Sequence, residues 1–489
     1  MSFVSFLRDL CGKREVDHKE QNVKTQSVRS TTRSNDSAEQ TGETISIRVS
    51  PHGYFTALFL ATFFSALAFY LDMDPLGIVL FAGSWILIPF FALNDRVSFD
   101  GKRLERTGFI PRIWSWFNSS RRSLKLADVE QVETASIRAL KRGGVVYYRY
   151  RTTVRGKGIG ISFASGGDEY RRMIHAILPR LDETMLDTRS IELRDHLGDA
   201  KETLMKAEFS RIPSADVLEP YFRRSLKKDR HLSKMPSVEE DEKADDLRSL
   251  ANELRVSGHL ARSLEAFRRA IVLKPRDGWL LFEFARCLHA FAGVSRQPQL
   301  ERRALAALRL SEMRANDDPD LLTRIGEWYF SLGEYHRATN LFQHVRDRIG
   351  LNFRAARGLA EIALREGKIA HVIHHFGAAT ESAATPALRR WSRNETDYFA
   401  RLNSDEEYME MEISRVSMLE TVERSKRTAL RVAFFAFPFV TVGVLFDDSI
   451  IADIGWAVST ISLLIWTGLI LSSRMLSRRI PYELLESED

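Results

Sequence analysis

Cysteine is almost absent: Cys11 and Cys287 are the only two in 489 residues. They stand far apart, and neither has a partner at metal-ligand spacing. That excludes a disulfide framework and suits soluble parts that face a reducing compartment. Net charge is nearly lacking as well. Lys and Arg total 71 against 65 Asp and Glu, a formal excess of +6, too small to argue for nucleic-acid binding. The chain has no nucleophile elbow, zinc-protease motif, dinucleotide fingerprint or kinase signature set, so it is not expected to be an enzyme. "RGKGIGIS" lacks the four-residue spacer and the Lys-Ser/Thr ending of a phosphate loop and reads as a hairpin turn. In "HVIHHF" a helix would put His371 and His375 on one face. No carboxylate or cysteine joins them locally, so neither metal nor cofactor is expected. No secretory signal is expected, because about fifty mostly polar residues precede the first apolar run.

What the chain does have is four apolar runs in two close pairs. Residues 54–71 ("YFTALFLATFFSALAFYL") and 76–93 ("LGIVLFAGSWILIPFFAL") carry no charge, and neither do 432–446 and 454–471. About 18 residues of helix cross roughly 27 Å, close to the hydrocarbon thickness of a bilayer. The third run reaches that length as 429–446 if Arg431 snorkels to the interface. The turn "DMDP" and the segment "DDSIIAD" have no Lys or Arg, whereas Arg96, Lys102, Arg103 and Arg106, then Arg424, Lys426, Arg427 and Arg431, then Arg474, Arg478 and Arg479 flank the other ends. The positive-inside rule then puts both termini and the whole middle of the chain in the cytoplasm. The span interiors offer no acid, base or His, which argues against ion transport. Gly77, Ala82, Gly83 and Gly443 are suited to helix packing.

Residues 95–182 change to strand patterning. "RVSFDGKRLERTGF" turns at Asp100-Gly101, "VVYYRYRTTVRGKGIGISFA" alternates with period two, and "DEYRRMIHAILPRL" closes as a helix with one apolar face. Antiparallel strands ending in one helix, directly behind an apolar hairpin, resemble a bacterial pleckstrin-homology-like (PH-like) domain. The resemblance is carried by "LKLADVEQVE" and "ISFASGGDEYRRMIHAIL". It implies docking or assembly at a membrane. Arg138, Lys141, Arg142, Arg149, Arg151, Arg155 and Lys157 are the candidates for contact with anionic headgroups; ordinary solvated strand charge is the other reading.

Residues 244–402 repeat. Gly333 recurs as Gly367 and Phe342 as Phe376, each 34 residues later. Gly258 and Phe267 precede Gly333 and Phe342 by 75 residues, which is two periods and seven more. A degenerate repeat with its insertion near "AFAGVSRQPQLER" fits the gap. The 34-residue helix-turn-helix period, with small residues and an aromatic at its packing positions, resembles the tetratricopeptide repeat (TPR). That resemblance implies a stacked all-α solenoid with a concave groove for a protein or peptide. Arg248 and Asn252 match the start of the carboxylate clamp found in some members, and Arg324 another of its bases, while Arg286 and Asp320 depart from its pattern. Arg248, Arg286, Arg324, Arg354 and Arg357 would give the groove a basic lining that favours acidic segments. Solvated helix charge is the alternative.

The expected fold is thus a multi-domain membrane protein: two transmembrane helical hairpins, a small antiparallel β domain with a C-terminal helix, and an all-α solenoid. Residues 1–50 form a tail, mostly disordered, with a short amphipathic start. Residues 51–94 are the first hairpin, 95–182 the β domain, and 183–243 a helical, charged linker. The repeats fill 244–402, a connecting helix 403–428 and the second hairpin 429–473, with a second tail at 474–489. The expected role is a scaffold in a bacterial inner membrane that presents the groove to a cytoplasmic partner. Homo-oligomeric self-assembly as a structural subunit is the alternative, and an unrecognised enzyme the weaker one.

Overall fold

The computed structural model describes residues 44–49, 51–109, 123–140, 146–165, 167–215, 217–218, 238–295, 297–446, 448–477 and 479. The amphipathic N-terminal start and the chain from 219 to 237 lie outside these.

Strand β1 (Ile45–Arg48) precedes two apolar helices, α1 (His52–Tyr70) and α2 (Asp74–Asn94), and strand β2 (Arg96–Phe99) follows them. β1 and β2 pair antiparallel, with Arg48 opposite Arg96. The helical hairpin is therefore inserted between two neighbouring strands of one sheet. This corrects the boundary drawn at residue 50, since 45–48 are strand and not tail. Their register is set by Ile47, which is buried opposite Val97. At the point of insertion Asp95 is fully buried and accepts from Arg106 at 3.0 and 2.5 Å and from the Tyr54 hydroxyl at 2.7 Å.

β3 (Arg103–Thr107) and β4 (Ser123–Lys125) complete a four-stranded antiparallel sheet, and β5 (Gln131–Leu140), β6 (Val146–Gly156) and β7 (Ile159–Ala164) form a three-stranded one. The "RGKGIG" stretch is the β6–β7 hairpin. Gly156 pairs with Ile159, and the two residues between, Lys157 and Gly158, have φ of 48° and 72°, the left-handed pair that a two-residue hairpin requires. Helix α3 (Asp168–Ile177) closes the domain: it buries Tyr170, Met173, Ile174 and Ile177, packs on β1, and sets Tyr170 against Phe163 of β7 at 5.8 Å. Residues 183–209, expected as a helical, charged linker, are helical and pack against β5 and the helix that begins the repeats. A 3-10 turn at Glu183–Met185 leads to α4 (Thr188–His196) and α5 (Ala200–Phe209). α4 is held to β5 by its N-cap Asp187, which accepts from Ser190 N at 2.9 Å and Thr134 N at 3.2 Å. A buried hydroxyl chain runs from Ser190 through Thr134 and Thr152 to Tyr170.

The repeats appear as consecutive helical hairpins: α6 (Val238–Val256) with α7 (Leu260–Leu273), α8 (Gly278–Ser295) with α9 (Pro298–Met313), α10 (Pro319–Leu332) with α11 (Tyr335–His344), and α12 (Phe353–Arg365) with α13 (Ile369–Glu381). Gly258, Gly333 and Gly367, the residues that set the period, all occupy turns with φ of 90°, 83° and 73°. The second hairpin starts at Gly278 and the third at Pro319, 41 residues apart; the fourth starts at Phe353, 34 further on. One hairpin with the seven-residue excess fills the gap, spent on longer helices. Phe342 shows the packing logic. It lies between Gly326 and Gly358, where an added Cβ would come within 2.6 and 2.5 Å of its ring.

The chain divides into two units, residues 1–54 with 89–325, and 55–88 with 326–489. In the second, α14 (Pro386–Ser404) packs on α13, and α15 (Glu406–Leu445) runs as one 40-residue helix. α15 joins two cores. Tyr408 near its start is buried with Ala360 and Phe376 of the fourth hairpin and Phe399 of α14, while Ala433 and Val440 are buried with Phe63 of α1. α16 (Ser449–Leu476) returns antiparallel along α15, with Trp456 against Phe63 at 5.2 Å and Asp453 accepting from Tyr70 at 2.8 Å. Helices α1, α2, α15 and α16 are each long and apolar enough to cross a membrane. Their outer faces are unpacked; Phe434 is 76% exposed and Ile86 69%.

Candidate functional site

The first helices of the first three hairpins, α6, α8 and α10, carry the predicted groove residues Arg248, Asn252, Arg286 and Arg324. All four line one cavity of about 520 Å³. Its opposite wall is the segment 183–196, which closes the concave side with its own acids.

Each arginine has a carboxylate. Arg248 grips Glu283 with two bonds of 2.7 Å, and Asn252 Nδ2 adds a third at 2.8 Å. Burial pushes the Glu283 carboxyl up, but Arg248 and Asn252 outweigh it and hold it below the usual range. Asn252 Oδ1 accepts from Arg255 at 3.0 Å, which places Arg255 2.9 Å from Glu192 of α4. Arg286 pairs with the same Glu192 and also lies over the Phe282 ring at 5.5 Å. Arg324 pairs with Glu183 and stacks over Trp279 at 5.0 Å, with Arg194 as the second cation on Glu183 at 3.1 Å.

One carboxylate, Glu192, thus serves two buried guanidiniums. Burial raises its carboxyl, yet Arg255 and Arg286 leave it net lowered. Arg286 is pushed down to about 10 by burial, with Arg255 and Arg324 adding to the effect against Glu192. Glu192 Oε1 makes its ion pairs without a hydrogen bond of good geometry, and Arg255 Nε has no partner. Charge at the centre of this cavity is poorly matched, which is costly in a buried place.

The remaining groove candidates lie in the other unit. Arg354 is buried against Glu327 at 2.9 Å, and Arg357 pairs with Glu361 at 2.7 Å and lies over Trp391 at 5.4 Å. Of the headgroup candidates, Arg149, Arg151 and Arg155 alternate along the outer face of β6 and are exposed. Arg155 is 3.3 Å from Glu133, and Lys157 is 2.7 Å from Asp128. Arg138 is opposite Tyr148 in the β5–β6 register; Lys141 and Arg142 lie outside the described residues. Cys287 is buried 3.2 Å from Ser263 Oγ, and burial pushes its thiol up to about 11, so it is unreactive at neutral pH. The three histidines cluster: His371 stacks on His375 at 6.2 Å, and His374 meets His375 edge-on at 5.3 Å.

Sequence reasoning found the arginines and missed their partners. Glu283 stands 35 residues after Arg248, one repeat on, a spacing that was available as a signal. Glu183 and Glu192 were hidden because nothing in a helical, charged linker says that it folds back onto the hairpins.

No known family profile matches the chain, and no curated protein does. Among solved structures, the crystal structure of the APC/C hetero-tetramer Cut9-Hcn1 aligns with 64% of this chain at 15% identity and a TM-score of 0.28. The alignment spans 63% of that structure's chain. At these values it fixes neither fold nor function.

Proposed function

We propose that the protein is a scaffold of the cytoplasmic membrane of a bacterium. Its TPR-like hairpins present a surface to a protein partner, and its PH-like β domain sits beside the lipid. The observation that carries this reading is α15. Its two ends are buried in different cores, one with the hairpins and one with the apolar helices. Forty residues of helix measure about 60 Å. A continuous helix of that kind fixes a protein-binding stack to a membrane anchor without a flexible joint, which raises a partner's effective concentration near the bilayer. Exposed apolar faces on four helices support the anchor, and the one-sided basic flanks support cytoplasmic placement of the hairpins and the β domain. Arg149, Arg151 and Arg155 suit anionic headgroups.

The test is photo-crosslinking of the full-length protein in its membrane, with a benzophenone side chain replacing exposed Asp320 at the start of α10, or Glu361 on α12. A single adduct of distinct mass at either position is the expected result. Adducts only with a second copy of this chain would replace the scaffold reading with self-assembly, and no adduct at either position would overturn both.

A further inference from the structure

The concave face of the first three hairpins is not empty. Glu183 and Glu192 come from the segment between the β domain and the repeats, and they reach arginines on three successive first helices: Arg255 on α6, Arg286 on α8 and Arg324 on α10. These are the contacts an acidic ligand of this face would make. We propose that residues 183–196 are a built-in acidic occupant of the concave face, and that an acidic partner segment binds there by taking Arg286 and Arg324 over from Glu192 and Glu183. The inference rests on the scaffold reading and adds its regulation: the surface is closed until a competitor of matching charge arrives.

Three features make the exchange feasible. The cavity of about 520 Å³ already stands beside the ion pairs, so an incoming acidic side chain finds room before any bond breaks. Helix α4 does not have to leave, because its backbone is held on β5 through Asp187 and Ser190, independently of its glutamates. The occupant is also an imperfect ligand. Glu192 divides itself between two buried guanidiniums with no well-aligned hydrogen bond at Oε1, and Arg255 Nε is unpartnered. A partner bringing two carboxylates would satisfy donors that one carboxylate cannot. Competition of this kind obeys simple arithmetic: whatever fraction of the time the glutamates hold the arginines is lost from the apparent affinity of the partner.

The probe is a fluorescein-labelled peptide with the sequence of residues 181–198, and a twin in which both glutamates are glutamines. Anisotropy is read on the intact protein in detergent micelles, as wild type and as a Glu183→Gln/Glu192→Gln variant. Weak binding to wild type, and binding roughly tenfold tighter or more to the variant, is expected for the glutamate peptide only. If the double variant does not fold, Glu192→Asp keeps the charge, shortens its reach and should give a smaller gain of the same sign. Equal affinity for wild type and variants, whether tight or absent, overturns the proposal, as does an equal response to the glutamine twin. A distinct crosslinked partner together with equal peptide affinities would leave the scaffold standing and make segment 183–196 a permanent brace.

Discussion

Glu192 is one carboxylate facing two buried guanidiniums, and removing it leaves both without their anion. Breaking a buried pair from one side costs about 3–5 kcal/mol. Glu192→Ala is therefore expected to lower the unfolding free energy by about that much, measured by denaturant titration in detergent. Glu361→Ala should change it by less than about 1 kcal/mol, because that pair is more exposed, with side chains 29% and 38% open. His375 gives a pH signature. Burial, with His374, Arg346 and His371 nearby, pushes it from 6.5 down to about 4. The folded state binds fewer protons than the unfolded one between those values. Stability is thus fully present above 6.5 and drains away as pH falls towards 4. The thermal midpoint should drop between about pH 7 and about pH 5, and His375→Asn should flatten that drop. The Arg357–Glu361 and His371–His375 pairs follow from helix spacing, but the partners of Glu192 were not readable in the sequence. Glu192 meets Arg286 and Glu183 meets Arg324 across long stretches of chain, and charge alone does not say which of many acids a given arginine finds.

The hairpin was the most legible element. Period, turn glycine and aromatic knob all point to it, because each follows from local geometry repeated at fixed spacing. Phe342 is the knob that tests it. Phe342→Ala should cost about 3–5 kcal/mol by leaving a hole between α10 and α12. Gly358→Ala should cost about 1–3 kcal/mol by forcing the ring aside. Combining Gly358→Ala with Phe342→Leu should recover part of that loss, a coupling that a double-mutant cycle reads directly. β1 was the least legible element. Four residues give too short an alternation to notice, and the strand that pairs with them lies beyond two apolar helices. α4 escaped for a related reason. Its nine residues, "TRSIELRDH", are mostly polar, because one side meets hydroxyls on β5 and the other meets arginines.

For the whole molecule, the proposed arrangement of spans predicts which residues water reaches on each side. A cysteine replacing Asp72, in the turn between α1 and α2, should react with a membrane-impermeant maleimide added outside intact cells, and a cysteine replacing exposed Glu239 on α6 only after lysis. Labelling of both from outside would overturn the cytoplasmic placement of the hairpins. The four long apolar helices were readable because each is an uncharged run of sufficient length, and the sidedness proposed for them rests on flank charge. The sequence did not show how the parts are joined. α15 passes from one core to another without a break, so the connecting helix and the third apolar run are one element.

The insertion of the apolar hairpin between β1 and β2 also orders events in time. During synthesis β1 emerges first and has no neighbour to pair with. Its partner appears only after α1 and α2 have been made, and if these helices cross a bilayer as proposed, the register of Arg48 with Arg96 is reached only once the second has returned to the starting side. A chain whose first hairpin failed to insert would keep an open strand and an unpaired Asp95, Tyr54 and Arg106. On the proposed membrane reading, completion of the four-stranded sheet would follow insertion of the anchor and report it.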